Sequence, residues 1–132
     1  MTFLLDTDIC IYALKRHARV LGRLLSESRA EVVLSVITEA ELRAGAAKSA
    51  SPTKTLRALE SFLAPFTIVE FASSDAIAYS HVRAKLERAG TPIGPIDMLI
   101  AAHAVARELT LVTNNEREFR RVAGLRIENW AT

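Results

Sequence analysis

Short apolar runs alternate along this chain with longer stretches in which apolar residues recur three and four positions apart. The short runs, Phe3–Asp6, Glu31–Ser35, Phe66–Phe71, Thr110–Thr113 and Leu125–Ile127, read as strands. The longer ones, Ile9–Lys15, Ala18–Ser28, Val36–Lys48 and Thr53–Phe62, each carry one apolar face and read as amphipathic helices. Ser73-Ser74-Asp75 offers capping side chains for a long helix that runs to Arg88 and stops at Gly90. Pro95 then sits at the first turn of another helix, which passes through Asp97 to Glu108, and a short helix follows the polar turn at Asn114 and Asn115. Strands alternating with helices predict an α/β domain built on a mainly parallel sheet of about five strands.

Composition narrows the picture without changing it. The chain has 132 residues and is 50% hydrophobic, which suits one domain over residues 1–132 with a real core. Only the Lys48–Thr53 stretch, with two serines and Pro52, reads as a flexible connection or helix corner. Charged residues make up 24% and are mixed in sign, so the segment is not of the disordered type. A net charge of +2 permits an anionic partner without demanding one. The single cysteine, Cys10, reads as a buried helix position, can form no internal disulfide, and fits a reducing cytoplasm. The start Met1-Thr2-Phe3-Leu4-Leu5 meets Asp6 too soon for a signal peptide, and no run approaches the roughly 18 apolar residues of a membrane span.

Chemistry in an open parallel sheet collects beyond the carboxyl ends of the strands, and the acids found there are the candidates. Asp6 closes the first strand and Asp8 follows in Leu-Leu-Asp-Thr-Asp; either also serves as a helix N-cap. Thr38 and Glu41 have the spacing of a capping box. Glu39 and Glu41 are two apart on a helix, so at most one joins a common site while the other faces water. Asp97 lies in the first turn of a very apolar helix, where the helix dipole alone accounts for an acid. Glu116 and Glu118 follow the fourth strand across Thr113-Asn114-Asn115, a stretch that equally suits a solvated turn. Gathered together, such carboxylates need a cation or retained protons, and all-oxygen donors favour Mg²⁺ or Mn²⁺. Zinc is disfavoured, because His17, His81 and His103 are scattered and Cys10 sits elsewhere. His103, on the apolar helix, reads as a satisfied core or interface side chain.

Four blocks in order resemble the VapC toxins of bacterial VapBC toxin-antitoxin modules, which are PIN-domain ribonucleases. They are Leu-Leu-Asp-Thr-Asp-Ile-Cys-Ile-Tyr, Thr-Glu-Ala-Glu-Leu-Arg-Ala-Gly-Ala, Pro-Ile-Gly-Pro-Ile-Asp-Met-Leu-Ile-Ala-Ala-His-Ala and Leu-Val-Thr-Asn-Asn-Glu-Arg-Glu-Phe. The resemblance extends from Leu4 to the closing Gly-Leu-Arg-Ile-Glu-Asn-Trp. It implies a three-layer α/β/α PIN-like domain and a Mg²⁺-dependent endoribonuclease, with Mn²⁺ as the substitute. Asp6 and Asp97 match the principal metal ligands, Glu41 matches the second family acid, and Glu118 matches the fourth in the branch most like this chain. Other branches place that fourth acid at the position of Asn115. Asp8 stands where the family commonly has Asn, adding negative charge near the metal.

On this reading a divalent ion activates water for in-line attack on an RNA phosphodiester, while Thr7 and Thr113 orient ligands or water. Lys15, Arg16, Arg43, Lys48 and Lys54 are phosphate-contact candidates, although basic side chains on helices are more often simply solvated. The Thr-Pro-Ile-Gly-Pro and Thr-Asn-Asn blocks resemble the branch that cuts initiator tRNA in the anticodon loop. The family also implies a homodimer and a VapB-like antitoxin that inserts near the acids, with the helix after Asp97 and the helices from Ile9 to Ser28 as contact surfaces. Three other readings compete. One is a phosphatase with Asp6 as nucleophile and Asp8 as acid. Another is a receiver-like Mg²⁺-binding switch, and the last is a PIN-like module that only binds RNA.

Overall fold

The computed structural model describes all residues 1–132. Its strands are β1 (Phe3–Leu5), β2 (Val32–Ser35), β3 (Thr67–Val69), β4 (Thr110–Val112) and β5 (Arg126–Glu128). Its helices are α1 (Thr7–Leu14), α2 (Ala18–Ser26), α3 (Val36–Ala47), α4 (Pro52–Leu63), α5 (Ser73–Arg88), α6 (Pro95–Ala106) and α7 (Glu116–Phe119). Every strand lies inside or within a residue of an expected apolar run. The sheet is wholly parallel, in the order β3-β2-β1-β4-β5, with Leu4 in register with Val33 on one side and Leu111 on the other.

The two-residue period of β1 sorts its side chains to opposite faces, and both faces are covered. Phe3 and Leu5 pack with Ile9, Val20, Leu42, Leu59 and Leu63 from α1 to α4, whereas Leu4 packs with Leu86, Met98, Ile100 and Phe119 from α5 to α7. Three layers result. No helix is long and apolar enough to cross a membrane.

Several local expectations change. α1 begins at Thr7, two residues early, because Asp6 caps it through its own side chain. β2 runs straight into α3, so Ser35, accepting from the Ile37 N–H at 3.0 Å, is the cap; Thr38 is buried within the first turn and forms no capping box with Glu41. Ala72 occupies the cap position of α5, and Asp75 reaches back to its N–H at 2.7 Å, while Ser73 and Ser74 supply no capping bond. Gly90, with φ +69°, turns the chain out of α5 as expected. α6 buries Met98, Ile100, Ala101, Ala102, His103 and Ala104 against its own core, which removes most of it as a contact surface for another chain.

Where α5 begins and α6 ends, the two helices are tied by Asp75, which has no exposed surface. The Arg107 guanidinium donates to both its oxygens, at 3.2 and 2.9 Å. His103 is also fully buried. Its Nε2 lies 3.0 Å from the Glu70 carbonyl, which only accepts, so Nδ1 is the acceptor from the Ser35 hydroxyl at 2.8 Å. Burial keeps this imidazole neutral by pushing its pKa down. It is a satisfied core side chain.

The chain leaves β1 toward β2 and β3, then crosses back through α5 and α6 to β4 on the other flank of β1. The direction of winding therefore reverses between β1 and β4, and the crevice at their carboxyl ends is where an open α/β sheet receives its ligand.

Candidate active site

Asp6 stands at that reversal, immediately after β1, and is 5% exposed. Its Oδ1 accepts from the Thr7 N–H at 2.8 Å and its Oδ2 from the Thr113 hydroxyl, just past β4, at 2.7 Å. The Thr113 oxygen itself accepts from the Asn115 N–H at 2.9 Å, so the turn after β4 is locked to the acid after β1. Asp8, in the first turn of α1, accepts through Oδ2 from the Asn114 N–H at 3.1 Å; its Oδ1 is buried with no hydrogen-bond partner. Thr7 donates to Glu41 Oε1 on α3 at 3.0 Å, with the buried Thr38 hydroxyl 3.4 Å away. Glu118 on α7 accepts from the Asn115 side-chain amide at 3.1 Å and faces Asp97 in the first turn of α6.

Four separate elements thus deliver acids to one crevice, where burial first and neighbouring acids second favour the protonated carboxyl. Burial, then the charge of Asp8, pushes the Asp6 carboxyl up to about 7, against the hydrogen bonds from Thr113 and Thr7; Glu41 adds to the rise. Asp97 is likewise pushed up to about 7, by burial, by Asp6, and by Glu118 both as a hydrogen-bonding neighbour and as a charge. Burial raises Asp8 too, with Asp97 contributing. Salt bridges form elsewhere in the protein, but none involves Asp6, Asp8, Glu41, Asp97 or Glu118.

All eight residues singled out from sequence, Asp6, Thr7, Asp8, Glu41, Asp97, Thr113, Asn115 and Glu118, meet here. Glu39 does not: its carboxylate takes the Arg43 Nε–H at 2.9 Å and is half-buried rather than free in water. Arg43 also binds Glu60 at 2.6 Å, so it is committed between two acids and is not a free phosphate contact. Lys15, Arg16, Lys48 and Lys54 are exposed. Cys10 is buried beneath the crevice, its thiol pushed up by burial and by Asp6 and Asp8. Three contributors escaped sequence reasoning: Asn114, through a backbone N–H that carries no sequence signal; Thr38, which resembled a cap; and Asn129, whose link to the crevice is purely tertiary.

The donor set suits a hard divalent ion, being all oxygen, over-supplied with negative charge, and holding one buried carboxylate oxygen without a partner. No three His, Cys, Asp or Glu side chains close into a preset cage; the carboxylates meet as pairs, Asp6 with Asp8 and Asp97 with Glu118. The same arrangement counts against two competitors. A carboxylate nucleophile in a phosphatase needs a lysine or similar cation nearby, and the Asp6 oxygens are both engaged with no such partner. A receiver-like switch needs its acceptor acid after the strand that is third in sequence and a lysine after a late one, but β3 is followed by Glu70-Phe71-Ala72 and β4 by Thr113-Asn114-Asn115.

The PIN domain family matches residues 3–125. Over 130 residues the chain is 39% identical to the tRNA(fMet)-specific endonuclease VapC of Salmonella typhimurium, covering 98% of each chain. It is 38% identical over 133 residues to Ribonuclease VapC2 of Rickettsia felis, again with 98% of each covered. Among solved structures, the DNA-bound VapBC of Salmonella typhimurium is similar with a TM-score of 0.93 and 40% identity, over 98% of both chains.

Proposed function

The chain belongs to the PIN-domain family, among the VapC ribonucleases, and on that premise we propose that it is the Mg²⁺-dependent toxin of a toxin-antitoxin pair that cleaves a tRNA, initiator tRNA first. Nucleases of this family generally use divalent ions; Mg²⁺, with Mn²⁺ as substitute, is our assignment for this all-oxygen donor set. The observation that carries the reading is the meeting of Asp6, Glu41, Asp97 and Glu118 at the β1/β4 crevice with no protein cation to balance them. Residues 1–132 act as one catalytic unit in the cytoplasm.

Asp6 and Asp97 would hold the ion, and Glu41 and Glu118 would support it directly or through water. Once bound, the ion supplies a nucleophilic water and charge stabilisation for in-line displacement at phosphorus. Thr113 and the Thr7 N–H fix the two Asp6 oxygens, Thr7 aims Glu41, and Asn115 aims Glu118. Asp8 adds an oxygen whose only neighbour of use is a cation. The choice of initiator tRNA is supported by the Salmonella relative, a tRNA(fMet)-specific endonuclease, and the choice of its anticodon loop by the resemblance of the sequence blocks. A VapB-like antitoxin is the proposed partner on the strength of the similar VapBC structure, and a homodimer on the family resemblance; α2, where Leu25 is 80% exposed, is a surface such a partner can cover.

Purified protein incubated with initiator tRNA and Mg²⁺ is expected to yield one pair of fragments, whose sequenced ends fall in the anticodon loop. EDTA, or Asp6→Asn, is expected to cut the rate by more than the roughly 100-fold typical of a group one step removed from the metal. Full cleavage surviving both treatments refutes the mechanism; random scission of any RNA refutes the substrate.

A further inference from the structure

Beyond β5 the chain makes a tight turn whose hydrogen bonds point into the crevice. Asn129 donates through its side-chain amide to Asn114 Oδ1 and to Glu116 Oε2, both at 3.0 Å, and its own Oδ1 accepts from the Ala131 N–H at 2.9 Å. Asn114 passes the constraint on. Its backbone N–H holds Asp8, and its side-chain amide donates to the Tyr12 hydroxyl at 3.2 Å. On either side of Asn114 stand Thr113, which fixes Asp6, and Asn115, which fixes Glu118. We propose that Asn129 is a positioning residue for the metal centre: it clasps the Asn114–Glu116 turn so that the donors to Asp6, Asp8 and Glu118 are held in place before an ion arrives.

Anchoring the tail does not need this side chain. Trp130 is buried edge-on against Phe3, with centroids 5.2 Å apart, and lies under the Arg23 guanidinium at 4.9 Å; β5 is already bonded to Thr113 through the Glu128 carbonyl at 2.9 Å. Both amide protons of Asn129 are spent on the turn, where two acceptors would otherwise lack this donor. Groups that orient metal ligands from one step away generally set metal affinity or activity.

The inference rests on the metal-dependent cleavage proposed above, and its test separates the two. For Asn129→Ala in the full chain, the Mg²⁺ concentration giving half-maximal tRNA cleavage is expected to rise about 10-fold, with KM for RNA at saturating Mg²⁺ unchanged. The rise in melting temperature caused by a fixed, subsaturating dose of Mn²⁺ is expected to shrink in parallel. Because the effect passes through Asn114, the double variant with Asn114→Ala is expected to match the worse single variant rather than to add. Trp130→Leu serves as the control for tail anchoring: it lowers the metal-free melting temperature and leaves the Mg²⁺ requirement unmoved. An unchanged Mg²⁺ requirement and Mn²⁺ response in Asn129→Ala, or strict additivity with Asn114→Ala, overturns the clasp. If the wild-type protein cuts no RNA, the functional reading falls, while the Mn²⁺ melting shift still decides for or against the clasp.

Discussion

Asp6 and Asp75 are both buried aspartates at helix starts, yet they live under opposite electrostatic regimes. Burial alone raises both. At Asp75 the Arg107 hydrogen bonds, the Ala72 N–H and the Arg107 charge outweigh it, and the carboxyl is held below its usual range. At Asp6 the nearest charges are other acids, and its two hydrogen bonds cannot hold it down. A buried acid with its own guanidinium is complete, and it fastens two helices together. A buried acid among acids is incomplete until a cation arrives. Burial therefore does not distinguish a structural carboxylate from a metal-binding one; the sign of what surrounds it does.

The comparison is broken most forcefully from the structural side. Asp75→Asn removes the charge facing Arg107 and is expected to cost about 1–3 kcal/mol of stability. The loss should stay below that of a fully buried pair, because the Arg107 side chain is 36% exposed and can turn back to water. Urea unfolding checks this, and tRNA cleavage at saturating Mg²⁺ should persist in the folded fraction. Asp6→Asn should do the reverse. It abolishes cleavage, yet raises the melting temperature of the metal-free protein by about 3–6 °C, the equivalent of roughly 1 kcal/mol for a chain of this size. A melting temperature that falls instead would place Asp6 with Asp75 as a structural acid.

The pH dependence sharpens the contrast. Folded Asp6 and Asp97 titrate near 7 against an ordinary value of 3.8, so between these limits the folded state holds more protons than the unfolded one. Stability of the metal-free protein should fall as pH climbs from about 4 to about 7 and then level off. Asp75, with its lowered pKa, contributes in the opposite sense: its stabilisation is present above 3.8 and is lost only as pH drops through its lower folded value. Saturating Mn²⁺ favours the ionised acids, so adding it should reverse the slope between pH 4 and 7. Thermal melts across that range, with and without the ion, give the answer. The smallest effect belongs to Glu39→Gln. This acid sits two residues from Glu41 but is paired with Arg43, and its loss should leave the Mg²⁺ requirement for cleavage unchanged.

Much of the molecule was legible before any coordinates. The inner strands β1, β2 and β4 announced themselves as short apolar runs because helices cover both faces of the sheet there, whereas the edge strands β3 and β5 are less buried and β5, Arg-Ile-Glu, only overlaps its run. Gly90 and Pro95 marked the turn between α5 and α6, since their backbone preferences act locally. The caps were less legible: Ser35 displaced Thr38, and Ala72 displaced Ser73, because cap geometry depends on where the preceding strand ends, and a single residue of offset reassigns the role. Glu41 could be told from Glu39 only by resemblance to a family, as a helix rotates two neighbouring positions apart without saying which one faces the site. Glu118 and Asn115, read as rivals for one place, are partners joined by a hydrogen bond.

Residue types and their order determined an α/β chain with acids placed after strands and at a helix start, because propensity, periodicity and capping are short-range effects. Only the tertiary structure decided that β1 and β4 lie side by side, which brings residues 6 and 113 within 2.7 Å, and that Asn129 reaches back to Asn114. Such contacts depend on how the sheet is wound and on which charges end up sharing a low-dielectric crevice. Neither property belongs to any one stretch of chain.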